Sequence, residues 1–150
     1  MDLILWRHAH AVGESGGPQD WQRRLSARGE RQAQRMARWL NHQLPQSTKV
    51  LCSPALRTEA TAHALGRSYK VDHALAPEAD VDSLLCAVQW PQAKGVTLVV
   101  GHQPTLGGVV AQLLGLAQTE CHIKKGALWW LRQREGGGVM VVTVQTPDMI

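Results

Sequence analysis

The chain is poor in cysteine, with three residues, an odd number, and no Cys-x-x-Cys spacing. That count argues against a disulfide framework and against a zinc ribbon. No run of eighteen apolar residues is present, so no membrane-spanning helix is expected. No basic-apolar-small leader pattern is present either, and cytoplasm is the expected compartment. What the chain does have is 150 residues, 44% of them hydrophobic, enough for one domain over residues 1–150 with a real core. Its formal net charge of +4 favours acidic partners slightly.

Apolar runs and helical patterns alternate along the chain. Leu3–Trp6 reads as a strand, followed by a polar loop from Gly13 to Trp21. Ser26 has the character of an N-cap before a helix running to about His42. Its apolar positions Ala33, Met36, Ala37 and Leu40 recur at helical spacing, and Arg28, Arg31, Arg35 and Arg38 gather on the opposite face. That stripe reads first as a solvated face and second as a docking surface for an acidic partner. Lys49–Cys52 is a second strand, Ala55–Leu65 a helix, Tyr69–Asp72 a weak third strand and Val81–Gln89 a helix. The run "VTLVVGH", residues 96–102, is β-branched and almost uniformly apolar, as a strand covered on both faces should be. Pro104 suits a first helical turn, and the helix continues over Leu106–Leu114. "GALWWL" and "VMVVTV" flank "RQREGGG" as a terminal hairpin. The expected fold is α/β: a single three-layer domain, its mostly parallel central sheet flanked by helices, with a C-terminal antiparallel hairpin.

Ligands of open α/β sheets bind outside the carboxyl ends of the strands. The residues just past each apolar run are therefore the informative ones: Arg7 and His8, then Arg57 in "CSPALRTEAT", then Gly101 and His102. Two arginines and two histidines converge on one edge. This set suits phosphoryl transfer through histidine. A neutral imidazole attacks phosphorus in line, and guanidinium forks match the equatorial oxygens. A second imidazole can then hydrogen-bond one of those oxygens. Fixed cations take the place of a metal, and no cofactor is called for.

"LILWRHAHA", "LSARGERQAQRMARWL", "VLCSPALRTEATAHAL" and "LVVGHQPTLGGVVAQLL" resemble, in order, the motifs of the histidine phosphatase superfamily, the phosphoglycerate-mutase-like fold. The short length and the lack of a cap insertion between motifs resemble its SixA-type phosphohistidine phosphatases. The resemblance implies that His8 is the nucleophile, that Arg7, Arg57 and His102 complete the phosphate pocket, and that Arg23 adds a phosphate contact, Arg24 being the neighbouring candidate. It also implies a phosphohistidine-bearing protein as substrate. Position 9 is Ala9 where the family usually has glycine. A positive φ there would cost about 1 kcal/mol, whereas mere close approach would leave a methyl group narrowing the pocket. Ester-cleaving relatives carry an acid in the site. Gln103 removes the option directly after His102, so Glu78 is the candidate, either as a general acid or as a plain loop carboxylate. A small-molecule phosphomonoesterase using Glu78 is the alternative function.

Other readings are weaker. The His8-x-His10 pair is similar to metal sites of (β/α)₈ barrels, but these need roughly 250 residues. His42, His63, His73 and His122 show no zinc-protease spacing. "GESGG" matches a nucleophile elbow but lies in a polar loop. "CSPALR" is one residue short of a cysteine-phosphatase loop and lacks its glycines. Only Trp39 accompanies the arginine stripe, so no nucleic-acid partner is expected. Of the adjacent Trp129 and Trp130, one should point outward, most simply as a partly covered packing residue. A non-catalytic phosphoprotein-binding module would keep the arginines but not both histidines.

Overall fold

The computed structural model describes residues 1–150. Six strands form one sheet in the order β3-β2-β4-β1-β5-β6. The strands are β1 (Asp2–Arg7), β2 (Lys49–Cys52), β3 (Lys70–Val71), β4 (Val96–Gly101), β5 (Leu128–Gln133) and β6 (Val139–Gln145). β3, β2, β4 and β1 pair in parallel, and β5 and β6 add antiparallel at one side. The helices are α1 (Ala27–Gln43), α2 (Leu56–His63), α3 (Val81–Ala87) and α4 (Thr105–Leu114). This is a single α/β domain.

The unbroken apolar runs of β1 and β4 follow from their central place, since helices cover both faces of the sheet. Side chains alternate along a strand, so β1 feeds two cores. Ile4 and Trp6 join Met36 and Leu40 of α1 and Ala62 of α2 on one face. Leu3 and Leu5 join Leu84 of α3 and Leu106 and Val110 of α4 on the other. The two cores clamp β1 from both sides. Burial of each large side chain is worth about 1.5–3 kcal/mol, so β1 is anchored on both of its faces. The Trp6 Nε1–H donates to the Gly126 carbonyl at 2.9 Å, which ties that end to the loop before β5.

Several boundaries differ from expectation. β1 gains Asp2 and Arg7, because Arg7 still pairs with Gly101. The third strand keeps only Lys70–Val71 and no part of Tyr69, whose hydroxyl donates to Glu59. α2 starts at Leu56 and ends at His63, and α3 stops at Ala87, with Gln89 in the left-handed region at φ 55°. Pro104 is the residue before α4, not inside its first turn. Trp130 is buried with the first core, and Trp129 packs half-buried on the second. The pair straddles a sheet covered on both sides, so neither ring stands free as an interaction surface.

Candidate active site

The carboxyl ends of β1, β2 and β4 open into one pocket of about 610 Å³. β1 delivers Arg7 and His8, and β4 delivers His102. β2 delivers Ser53, and the first turn of α2 delivers Arg57. His8, Ser53, Arg57 and His102 are all buried. Arg23, Lys125, Asp20 and Glu78 also line the pocket. Arg7, His8, Arg57, His102, Arg23 and Glu78 thus come together. Arg24 does not, because it faces a separate cleft with Leu56.

The hydrogen bonds fix how each imidazole presents itself. His8 Nδ1 lies 2.8 Å from the Ala9 carbonyl, which can only accept. The ring proton therefore sits on Nδ1, and Nε2 keeps its lone pair with no protein partner. Burial, and then the charges of Arg57, Arg7 and Arg23, lower the His8 pKa to about 3, so the ring is neutral near pH 7. A neutral ring with a free lone pair is a nucleophile. His102 lies beside it, the ring centroids 5.3 Å apart. Arg57 Nη2 donates to its Nδ1 at 3.3 Å, which leaves the His102 proton on Nε2, 2.7 Å from Ser53 Oγ. Burial lowers the pKa of this ring as well, with His8 and Arg57 adding to the effect.

The guanidinium groups are held by the backbone. Arg7 Nη1 donates to the Ile123 carbonyl at 2.7 Å, and Arg57 Nη1 donates to the Asp20 carbonyl at 2.7 Å. Arg23 Nε donates to the Val12 carbonyl at 3.0 Å. Burial lowers the pKa of both Arg7 and Arg57, and their Nε–H groups meet no acceptor. Each such orphan costs about 1–3 kcal/mol. A protein keeps that many desolvated cations together where an anion is to bind.

The comparisons with known proteins agree with this geometry. The family model described as the histidine phosphatase superfamily, branch 1, matches residues 3–80. The phosphohistidine phosphatase SixA of Escherichia coli is 32% identical over 121 residues, covering 75% of this chain and 74% of that protein. The chain belongs to the histidine phosphatase superfamily, among its SixA-type members. An uncharacterised protein of Picosynechococcus is 32% identical over 141 residues, covering 88% and 85%. A solved structure of the protein histidine phosphatase SixA complexed with tungstate superposes with a TM-score of 0.82 at 26% identity, over 99% and 98% of the two chains. The chain is accordingly a phosphatase.

Within this family frame, three features were invisible or ambiguous in sequence. Asp20 stands in the middle of the arginines, with Oδ1 3.1 Å from Arg23 Nη1 and Oδ2 3.1 Å from Arg57 Nη2. Burial raises its pKa, but the Gly16 amide and the two guanidinium groups outweigh this and hold it below the usual carboxylate range. Its only sequence signal is the Asp-x-x-Arg spacing to Arg23. Ser53 opens the Ser-Pro-x-x-Arg motif, but its bond to His102, far away in the chain, is shown only by the fold. Thr61 accepts from the Ala9 amide at 3.1 Å and donates to the Arg57 carbonyl at 2.8 Å within α2, tying that helix to the segment after β1.

The family glycine at position 9 does not mark a positive φ in this chain. Gln89 alone among non-glycine residues has one, so the strain considered for Ala9 is absent. The Ala9 side chain is fully buried and lies outside the pocket lining, so it does not narrow the pocket. His10 turns away from His8 and bonds Ser26 Oγ through Nδ1 at 2.7 Å, which separates the two rings as a metal pair. Gln103 bridges the Gly107 amide and the Cys121 carbonyl, a structural duty. Glu78 stands exposed at the rim. Burial pushes the Cys52 thiol up to about 12, which makes it a poor nucleophile.

Proposed function

We propose that the protein is a metal-independent phosphohistidine phosphatase that works through a phospho-His8 intermediate, on a phosphohistidine-bearing signalling or phosphocarrier protein of the cytoplasm. The observation that carries this reading is the state of His8, a neutral imidazole with Nδ1 anchored and Nε2 free, ringed by Arg7, Arg23 and Arg57. The tungstate in the related SixA structure, a tetrahedral oxyanion, supports the phosphate assignment.

In this mechanism, His8 Nε2 attacks phosphorus as the P–N bond to the substrate imidazole breaks. The leaving imidazole takes up a proton from solvent and departs readily, so no strong general acid is needed. Arg7, Arg23 and Arg57 hold the equatorial oxygens. The dianion raises the basicity of His102, so Nδ1 gives up its bond from Arg57, takes a proton from solvent and donates to an oxygen beside Arg57. Water then attacks phospho-His8, forming a P–O bond as the P–Nε2 bond breaks, and phosphate leaves with the proton balance taken by solvent. The domain carries no cap over the pocket, which suits a phosphorylated protein surface better than an enclosed metabolite.

The test is a panel of phosphohistidine proteins and phosphoesters assayed side by side with the His8→Ala variant. We expect the wild type to favour phosphohistidine, with turnover unchanged by excess chelator. His8→Ala should show neither turnover nor an acid-labile phosphoenzyme. Full activity in the variant overturns the mechanism, and loss of wild-type activity on chelation returns a metal to it.

A further inference from the structure

Two more concave regions continue from the catalytic pocket along the surface. A cleft of about 510 Å³ shares Arg7 and Lys125 with the pocket and adds His10, Arg28, His122 and Lys124. A smaller one, about 160 Å³, shares Arg28 and Gln32 with that cleft and adds Arg31 and Arg35. Together they form one trough from His8 to the middle of α1. Neither cleft has a hydrophobic lining residue.

The trough is firmly built. A Cβ on Gly29 would sit 1.9 Å from the His10 carbonyl oxygen, so α1 lies directly against the catalytic loop. Gln32 Oε1 accepts from the His10 amide at 2.9 Å, and Arg35 Nη1 donates to the Pro147 carbonyl at 3.1 Å. The first turns of α1 therefore cannot slide relative to His8.

Its charge is one-sided and unpaired. Arg28, Arg31, Arg35, Lys124 and Lys125 face one carboxylate, Asp148, and Arg7 adds a sixth cation shared with the catalytic pocket. None of the five takes part in an ion pair, since the pairs involve only Arg23, Arg57 and Arg132. Arg28, Arg31 and Arg35 repel one another at helical spacing, where a merely solvated face would interleave both signs. The field is strong enough to contribute, after burial, to a lowered pKa for His10 through Lys125 and Arg28. The absence of aromatic lining disfavours single-stranded nucleic acid, which needs stacking platforms. Guanidinium forks suit carboxylates, and continuity with the catalytic pocket makes the occupant part of the substrate.

We infer that this trough docks an acidic surface flanking the phosphohistidine of the protein substrate, its carboxylates meeting Arg28, Arg31, Arg35, Lys124 and Lys125. The inference rests on the phosphohistidine reading above. The three arginines span about 10 Å along α1 at 1.5 Å per residue, so the acidic patch lies to one side of the phosphorylated ring.

The test uses histidine peptides phosphorylated with phosphoramidate, one flanked by Asp and Glu, the other by Asn and Gln, with free phosphohistidine as the substrate too small to reach the trough. Wild type is compared with the triple variant Arg28→Glu, Arg31→Glu, Arg35→Glu, which leaves Arg7 and Lys125 untouched. Circular dichroism and a Lys triple variant control for folding. We expect wild type to prefer the acidic peptide about tenfold, through KM, with the preference shrinking as salt rises. The Glu variant should lose that preference yet hydrolyse free phosphohistidine at the wild-type rate, and the Lys variant should keep most of it. Equal wild-type rates on both peptides, or a preference that survives in the Glu variant, overturns the inference alone. Failure of wild type on both phosphohistidine peptides and on free phosphohistidine overturns the underlying function instead. Stronger competition by single-stranded DNA than by unphosphorylated acidic peptide reassigns the trough to nucleic acid and also overturns the inference.

Discussion

Replacing Asp20 by Asn should strengthen oxyanion binding. In the free protein the Asp20 carboxylate occupies the guanidinium edges that a phosphate would use, 3.1 Å from both Arg57 Nη2 and Arg23 Nη1. A phosphoryl oxygen bound to the same Arg57 group would be a neighbouring like charge for that carboxylate. Two like charges at about 4 Å repel by about 1 kcal/mol in water and about 4 kcal/mol at a surface-like effective dielectric, and this open pocket lies toward the lower figure. Against that stands the order the carboxylate imposes on two largely buried guanidinium groups, most of which the bound oxyanion itself restores through charge-assisted hydrogen bonds. Asn keeps the oxygen that accepts from the Gly16 amide while losing the charge. The balance predicts an inhibition constant for orthophosphate or tungstate about tenfold lower in Asp20→Asn, a gain of about 1.4 kcal/mol. Because the carboxyl is held below the usual carboxylate range, it stays ionised from pH 5 to 8, and the gain should persist over about that range, growing as phosphate becomes a dianion. An unchanged or weaker inhibition constant would show that Asp20 orients Arg57 more than it competes with phosphate.

Glu78→Gln should leave phosphohistidine hydrolysis near the wild-type rate and lower any phosphoester turnover by about 10²-fold; equal collapse of both would refute the proposed ease of imidazole departure. Gly29→Ala should cost about 1–3 kcal/mol by overpacking against the His10 carbonyl, seen in urea unfolding, and an unaltered midpoint would contradict that contact. Asp2 accepts two bonds from Arg132 and one from Trp130, which outweigh the rise due to burial and hold its pKa below 3.8. Its stabilisation is therefore complete above 3.8 and lost as pH falls through the lower folded value. Wild type should lose a stability increment in that window that Asp2→Asn lacks at every pH, as urea midpoints across the acid range will show.

The parts of this molecule legible in sequence are those set by local pattern. β1 and β4 announce themselves because both faces are covered and every position wants an apolar side chain. α1 is legible from Ser26, which accepts from the Gly29 amide as an N-cap should, and from Ala33, Met36, Ala37 and Leu40, all buried. Placing reactive residues at strand ends then brings Arg7, His8, Arg57 and His102 to one edge without further information. The illegible parts depend on contacts distant in sequence. Periodicity cannot choose between Arg23 and Arg24, because the choice depends on which one the Asp20 turn directs toward Arg57. It cannot show Ser53, whose partner is 49 residues away. Nor can it end α3 at Ala87, where the left-handed Gln89 breaks the helix.

Ala9 shows how far a departure from a family motif can be judged from type alone. Glycine at a given place serves either a backbone angle or an empty space, and the two carry different costs. The backbone angle does not apply to this chain, and the space limits size without requiring glycine. What position 9 supplies is main chain: its carbonyl anchors the His8 proton, and its amide binds Thr61. Any residue with an ordinary φ and a side chain small enough for a fully buried site supplies both. The methyl group points into the protein, away from the phosphate pocket, so the chemistry of His8 does not depend on it. A bulkier residue would have no such outlet, and the displaced backbone would carry the His8 ring with it. The motif constrains size at this position, and the nucleophile is oriented by the peptide group that follows it.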